Sequence, residues 1–266
     1  MDELGNRMKL YEQAEASRRL MPLLPLMVRL DGRCFSKFTK NLDRPYDKKF
    51  SEVMQAVTKY LVEETNAKIG YTQSDEISLV LLQDNFKSEV FFGGKIQKIV
   101  STLAAMTSVK FNQIVREVYG ESYCRAFPFS GKNPPTFDCR VWNVPNKQEA
   151  VNTLIWRELD ATKNSISMAC RSVYSHKAMM NKGRQEQMDM LMAKGINWNE
   201  YPDFFKRGTY FTRTQVTGKV HPEELESLPE KHKARSNPEL EFTRNVVQKC
   251  ELPILTKLDN PLSILD

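Results

Sequence analysis

The sequence predicts an α+β fold: a ferredoxin-like split β-α-β antiparallel sheet with helices on one face, followed by a C-terminal hairpin and tail. Three observations predict it. "IGYTQSDEISLVLL" (69–82) sets two apolar, β-branched runs around an acidic waist, as a buried hairpin does. On either side lie long segments whose apolar residues recur every three or four positions. "TFDCRVWNV" (136–144) then alternates as a strand should.

Residues 2–20 read as a polar helix. "LPLMVRLDG" is a short buried strand, apolar through Leu30 and stopped by Asp31 and Gly32. From Asp47 to Glu64, Phe50, Val53, Met54, Val57, Tyr60 and Leu61 form one face of an amphipathic helix. After Gly93-Gly94 a long helix runs to about Tyr119 on Ile96, Ile99, Val100, Leu103 and Phe111, and residues 148–174 are helical again. The order β, α, β-β, α, β, α places a hairpin between helices, the split β-α-β arrangement. Beyond Gly195 the chain turns aromatic, with a hairpin packed on the core. From Thr217 it is charged and proline-punctuated, an extended tail or arm. The expected division is a main domain over residues 1–194, with 195–266 the hairpin and tail packed on it.

At 266 residues the chain can bury one substantial core. A net charge of +6 points to an anionic partner, nucleic acid or nucleotides. The longest apolar stretch, Met21–Val28, contains two prolines and falls well short of the ~20 residues a membrane span needs. Five scattered cysteines without a C-x-x-C pattern argue against zinc or a disulfide framework and for a reducing cytoplasm. Three histidines out of motif spacing leave histidine metal sites and Ser-His-Asp chemistry without support.

Buried carboxylates have to be paired, hydrogen-bonded or bound to metal. Asp31 ends the first strand and Asp75 lies at the hairpin waist. If the strands are neighbours, both converge on one sheet edge as oxygen ligands for Mg²⁺, whose remaining shell comes from water and phosphate. Glu76 either joins that shell or orients it. Two ions about 3.5–4 Å apart would stabilise both oxygens of a phosphoryl transfer. Asp-Gly and Asp-Glu are equally at home in solvated turns. "DGRCFSKF" offers backbone N–H groups to a triphosphate, and "GGKIQKI" sets Lys95 and Lys98 near a helix start, where phosphate is favoured and where a solvated helix face serves as well.

"VRLDGRCFSKFT", "YTQSDEISLV", "FDCRVWNVP", "WRELDATKNS" and "GINWNEYPDFFKRG" occur in an order and spacing that resemble the tRNA-histidine guanylyltransferase family, with its 3′-to-5′ RNA polymerase-like members, over residues 5–214. The resemblance implies a polymerase/cyclase-like palm that adds nucleotides to the 5′ end of tRNA. A 5′-monophosphate is activated by ATP or GTP, and the 3′-hydroxyl of the incoming nucleotide then attacks the activated phosphorus. It also implies two Mg²⁺ ions and a homotetramer, a dimer of dimers. By motif match, Asp31, the Gly32 carbonyl and Asp75 hold metal, and Asp31, Asp75 and Glu76 are the catalytic acids. Arg29, the loop Asp31, Gly32, Arg33, Cys34, Phe35 and Ser36, with Ser74, Asp75, Lys98 and Asn164, meet the nucleotide. Arg29 is equally suited to a structural ion pair. Trp156 and Arg157 match the family's "WR" as scaffold, and Asp160 suits a helix–helix contact.

Members dedicated to histidine tRNA carry "HINNLYN" where this chain has Thr162 to Met168, keeping only Asn164 in place. That departure favours template-dependent 5′-end repair over tRNA-His guanylylation. Cys34 and Ser36 replace Asn and His, Cys139 replaces Gly, and Lys95 replaces Arg. Lys182, Arg184, Lys206, Arg207 and Arg213, interleaved with Phe204, Phe205 and Tyr210, are the RNA-binding candidates; the aromatics suit the core as well. A cyclase-like enzyme of free nucleotides and a non-catalytic tRNA-binding protein are the alternatives.

Overall fold

The computed structural model describes residues 3–88, 90–126 and 134–265. Six antiparallel strands make one sheet: β1 (Leu26–Arg33), β2 (Ile69–Gln73), β3 (Glu76–Leu81), β4 (Thr136–Asn143), β5 (Thr209–Lys219) and β6 (Glu241–Cys250), in the spatial order β4-β1-β3-β2-β5-β6. β1 lies between β3 and β4, so its end brings two neighbours' side chains together. Asp31 pairs with Glu76 on one side and Asp138 on the other.

The helices begin with α1 (Glu3–Ala16), which buries none of its residues, and a single turn, α2 (Phe35–Phe38). α3 (Lys48–Thr65) starts where Asp47 accepts a hydrogen bond from the Phe50 amide at 2.8 Å, and ends at Asn66 in the left-handed region, φ 55°. α4 (Ile96–Ala126) is interrupted at Gly120, φ 77°, next to the end the periodicity predicts at Tyr119. α3 and α4 bury Val53, Met54, Val57, Leu61, Ile99, Leu103 and Phe111 against Val28, Leu30, Ile77 and Leu79 of the sheet.

The expected helix layer is therefore present, and the opposite face is covered as well. α5 (Lys147–Val173) lays Ala150, Val151, Leu154 and Ala161 on Met27, Ile69, Tyr71 and Val80. The chain end joins it with Leu255, Ile264 and Leu265. The physical reason lies in the strands: β3 is apolar from Ile77 to Leu81 except for Ser78, so both of its faces require cover.

Past α5 come α6 (His176–Met179), α7 (Arg184–Met192) and α8 (Asp203–Lys206). Leu191 of α7, Phe205 of α8 and Trp198 of the turn between them pack on Ile166, Ala169 and Cys170. The aromatic segment thus forms turns around Trp198 and Phe205, and the hairpin begins only at Thr209 with β5 and β6. The charged stretch after it carries α9 (Pro222–Leu225) and α10 (Lys233–Ser236) as the connection between those strands. No helix among the described residues is long and apolar enough to cross a membrane.

One buried acid ties these layers. Glu158 is 2% exposed and accepts hydrogen bonds from the Tyr210 hydroxyl (3.0 Å) and the Leu255 amide (3.0 Å). Burial is the largest cause pushing its carboxyl above the usual carboxylate range. The folded protein therefore holds this proton more tightly than the unfolded chain. Its contribution is fully present in acid and is lost as pH rises through the raised value. Glu158→Gln, which keeps an acceptor for the Leu255 amide, is expected to flatten that dependence with little loss at neutral pH. Glu158→Ala leaves two buried donors unpaired and costs about 2–4 kcal/mol in urea unfolding.

Candidate active site

β2 and β3 are joined by Ser74 and Asp75 alone, because Gln73 and Glu76 are register partners. Ser74 takes φ 54°, a conformation suited to so short a loop, and its hydroxyl hydrogen-bonds Asp75 at 3.0 Å. The Gly32 amide donates to the Asp75 carbonyl at 3.1 Å, which fixes the turn against the end of β1. The two acids expected at one sheet edge do meet there. The nearby Asp31 charge is one of the causes raising the Asp75 pKa, after the larger effect of burial.

Their electrostatics are unbalanced. Among the described residues, neither Asp31 nor Asp75 forms an ion pair with lysine or arginine. Two partly buried like charges without a counter-ion are a place where a cation from outside the chain would be favourable. No group of three or more His, Cys, Asp or Glu among the described residues is arranged to hold a metal unaided. An all-oxygen, incomplete donor set of two carboxylates and the Gly32 carbonyl fits Mg²⁺, which takes water and phosphate for the rest of its shell.

Glu76 is in a different state. Arg157 grips it with two bonds, Nε to Oε1 at 2.6 Å and Nη2 to Oε2 at 2.8 Å, and Arg29 Nε lies 3.3 Å from Oε2. Burial still raises its pKa, against the lowering effect of both arginines. Arg29 is thus in the ion pair that was one of its two sequence readings. Arg157 also reaches Asp160 at 3.1 Å, and Asn164 donates to the same Asp160 oxygen at 3.3 Å. Asp160 makes these contacts within its own helix. Asn164 is linked to Glu76 through this chain of polar groups.

The loop after Asp31 is built on close approach. A Cβ on Gly32 would lie 2.4 Å from the Phe35 ring, so only glycine fits. Phe35 itself is buried among Phe38, Phe50, Phe111 and Phe137, which leaves only its backbone for a ligand. Cys34 adopts φ 59°, and Arg33, Cys34 and Ser36 are exposed. Beside the turn opens a cleft lined by Thr72, Gln73 and Ser74, by the 39–47 loop, and by Phe204 and Phe205. Sequence reasoning missed this cleft. It is assembled from three distant segments, and none carries a charge motif that stands out.

Other expected residues lie elsewhere. Lys98 is not brought to the carboxylates: α4 begins beside the segment leading into β1, where Gly94 accepts from the Leu20 amide, and the Lys98 ammonium sits 4.8 Å over the Phe92 ring. Arg213 donates to the Val62 and Glu63 carbonyls at the end of α3. Lys206 and Arg207 are paired with Asp203 at 3.3 and 2.7 Å, and Phe205 and Tyr210 are core residues. Lys182 pairs with Glu186, and Arg184 is exposed at the start of α7.

An antiparallel sheet backed by helices, with two acids lacking an ion pair at its edge and a cleft beside them, is the arrangement of a palm-type phosphoryl-transfer protein. The chain belongs to the tRNA(His) guanylyltransferase family, whose model matches residues 5–145. It is 26% identical over 271 residues to the tRNA(His) guanylyltransferase of Neurospora crassa, covering 94% of this chain and 89% of that one. Among solved structures it is similar to a bacterial tRNA(His) guanylyltransferase-like protein in complex with ATP, at 36% identity and TM-score 0.72, covering 79% and 88% of the two chains. A bacterial tRNA(His) guanylyltransferase-like protein in complex with GTP matches at 31% identity and TM-score 0.70, over 96% and 95%.

Proposed function

We propose that this enzyme, a 3′-to-5′ nucleotidyltransferase acting on tRNA, performs template-dependent repair of 5′ ends. The observation that carries the chemistry is the Asp31–Asp75 pair, joined by the Gly32 amide and lacking any counter-ion among the described residues. Asp31, Asp75 and the Gly32 carbonyl would hold Mg²⁺, which supplies charge neutralisation on the phosphates and activates the attacking hydroxyl. Glu76, clamped by Arg157 and Arg29, orients the end of β3 next to Asp31.

The exposed loop from Arg33 to Ser36 offers backbone N–H groups to the triphosphate, and the cleft at Thr72–Ser74 takes the base of ATP or GTP. No side chain here needs to act as a covalent nucleophile; in-line transfer depends on position and charge. The preference for repair rests on the residues at 162–168, where only Asn164 follows the histidine-tRNA pattern. The same reading carries a cytoplasmic homotetramer, and the free thiols of Cys34, Cys139, Cys170 and Cys250 agree with a reducing compartment.

The test is an extension assay on labelled tRNAs with nucleoside triphosphates and Mg²⁺. Several 5′-truncated tRNAs are expected to grow until the acceptor stem is complete, and Asp31→Ala is expected to abolish growth. Addition confined to intact tRNA-His, without copying the opposite strand, would overturn the repair reading.

A further inference from the structure

The half of the sheet beyond α5 carries an open, polar shelf next to the acids. Arg29, Asp31, Asp138 and Arg140 share one face of β1 and β4, because they pair Arg29 with Arg140 and Asp31 with Asp138. Like charges placed directly opposite are unfavourable in a sheet unless something else compensates them. Arg29 faces Glu76, its Nε 3.3 Å from Oε2 in an ion pair without a hydrogen bond. Among the described residues Arg140 pairs with Asp138 at 3.4 Å, with both side chains more than half exposed, so that pair is weak and the guanidinium can turn to another anion.

Above this shelf stands Trp156 on α5. Its side chain is large and apolar, yet the residue is 52% exposed. The ring is not loose: the Arg157 guanidinium lies 4.6 Å from its centroid and that of Arg29 5.9 Å. These are the same two arginines that hold Glu76. Arg29 and Asp31 lie two residues apart on β1, roughly 7 Å along the strand. A half-exposed indole, oriented from below and within one or two residues' reach of the acids, is what base stacking needs.

We propose that this shelf seats the 5′-terminal nucleotide of the RNA acceptor, with Trp156 stacking on its base and Arg140 meeting its phosphate. The inference rests on reading the site as a nucleotidyltransferase centre acting on RNA ends. Stacking tolerates any base, which suits an enzyme that must accept whatever nucleotide a truncated end presents. The shelf meets the 5′ end, whereas the cleft beyond Ser74 lies on the other side of the turn and takes the triphosphate's base.

The experiment is a cycle on the full-length protein. A 5′-truncated tRNA is compared with the same RNA lacking only its first base, on wild type, Trp156→Phe and Trp156→Leu. Trp156→Leu is expected to raise KM for the intact RNA about tenfold or more, with kcat changed less, and Trp156→Phe to stay near wild type. Removing the base is expected to cost wild type a similar factor and Trp156→Leu nothing further. 2-Aminopurine at the first position should be quenched by wild type and by Trp156→Phe but not by Trp156→Leu. Arg140→Ala should weaken binding of all truncated RNAs alike and lower the salt slope by about one. Additive losses, or undiminished quenching with Trp156→Leu, would overturn the proposal while leaving the extension activity in place. So would a change of assembly mass without any change in KM, which would assign the indole to a subunit contact. If wild type extended no truncated tRNA, the functional reading would fall and this inference with it.

Discussion

Asp75→Asn is expected to abolish nucleotide addition and, in the metal-free protein, to raise the melting temperature. The two effects share one cause. Asp75 sits partly buried beside Asp31, with the Ser74 hydroxyl as its side-chain donor, and burial followed by the Asp31 charge raises its pKa. Asparagine keeps the shape and the acceptor for Ser74 but removes the repulsion. Relief of this kind at functional sites is commonly worth about 1 kcal/mol, or ~2–4 °C for a chain of this size. The sign with pH follows from the raised value. The wild-type penalty is full above the folded pKa of Asp75 and vanishes below the unfolded one, so the gain should be present at pH 7 and disappear in acid. Added Mg²⁺ should stabilise the wild type and leave the variant unmoved, because only the ionised pair retains the cation. Calorimetry of both proteins with and without Mg²⁺ measures all of this. A variant no more stable than wild type at pH 7 would show that the pair is already compensated, and the metal assignment would lose its physical basis.

Much of this was legible in the chain because its signals are local. The hairpin is marked by apolar runs on each side of Ser74-Asp75, and the helices by Phe50, Val53 and Met54 or Ile99 and Leu103, so strand and helix could be read from period alone. Two parts were not legible, for different reasons. That α5 covers the second face depends on Met27 and Val80 pointing opposite to Val28 and Leu79, which continuous apolar strands do not reveal. The fates of the cations depend on partners far along the chain: Arg213 on the end of α3, Lys206 and Arg207 on Asp203, Lys98 on Phe92. A basic residue beside aromatics looks the same in sequence whether it grips phosphate or caps a helix. Arg157 shows the reverse case: its partner, Glu76, lies 81 residues away, and only the fold brings them within 2.6 Å.

That contact supports the second large effect. Arg157 is 11% exposed and Glu76 13%, and their two-pronged bond is shared with Arg29 and Asp160. Arg157→Leu leaves Glu76 with a single contact at 3.3 Å and Asp160 with its bond from Asn164, so a partly buried carboxylate loses most of its compensation. The expected cost is about 3–5 kcal/mol, on the order of 10 °C in Tm. Arg157→Lys retains the charge but not the planar fork, and should lose part of that stability while the protein stays folded. Its activity decides what the clamp is for. Glu76 pairs with Asp31 in the register of β1 and β3, so a Glu76 carboxylate held at one point lets the catalytic edge shift. Arg157→Lys should therefore lower kcat with little change in KM for nucleoside triphosphate, because the loop and cleft that bind it are untouched. Full kcat in a folded Arg157→Lys protein would reduce the clamp to a scaffold contact. Denaturation of Arg157→Leu costing under about 1 kcal/mol would mark it as a solvated pair. Both measurements bear on one physical statement: arginines fix Glu76, while Asp31 and Asp75 beside it form no ion pair with lysine or arginine among the described residues.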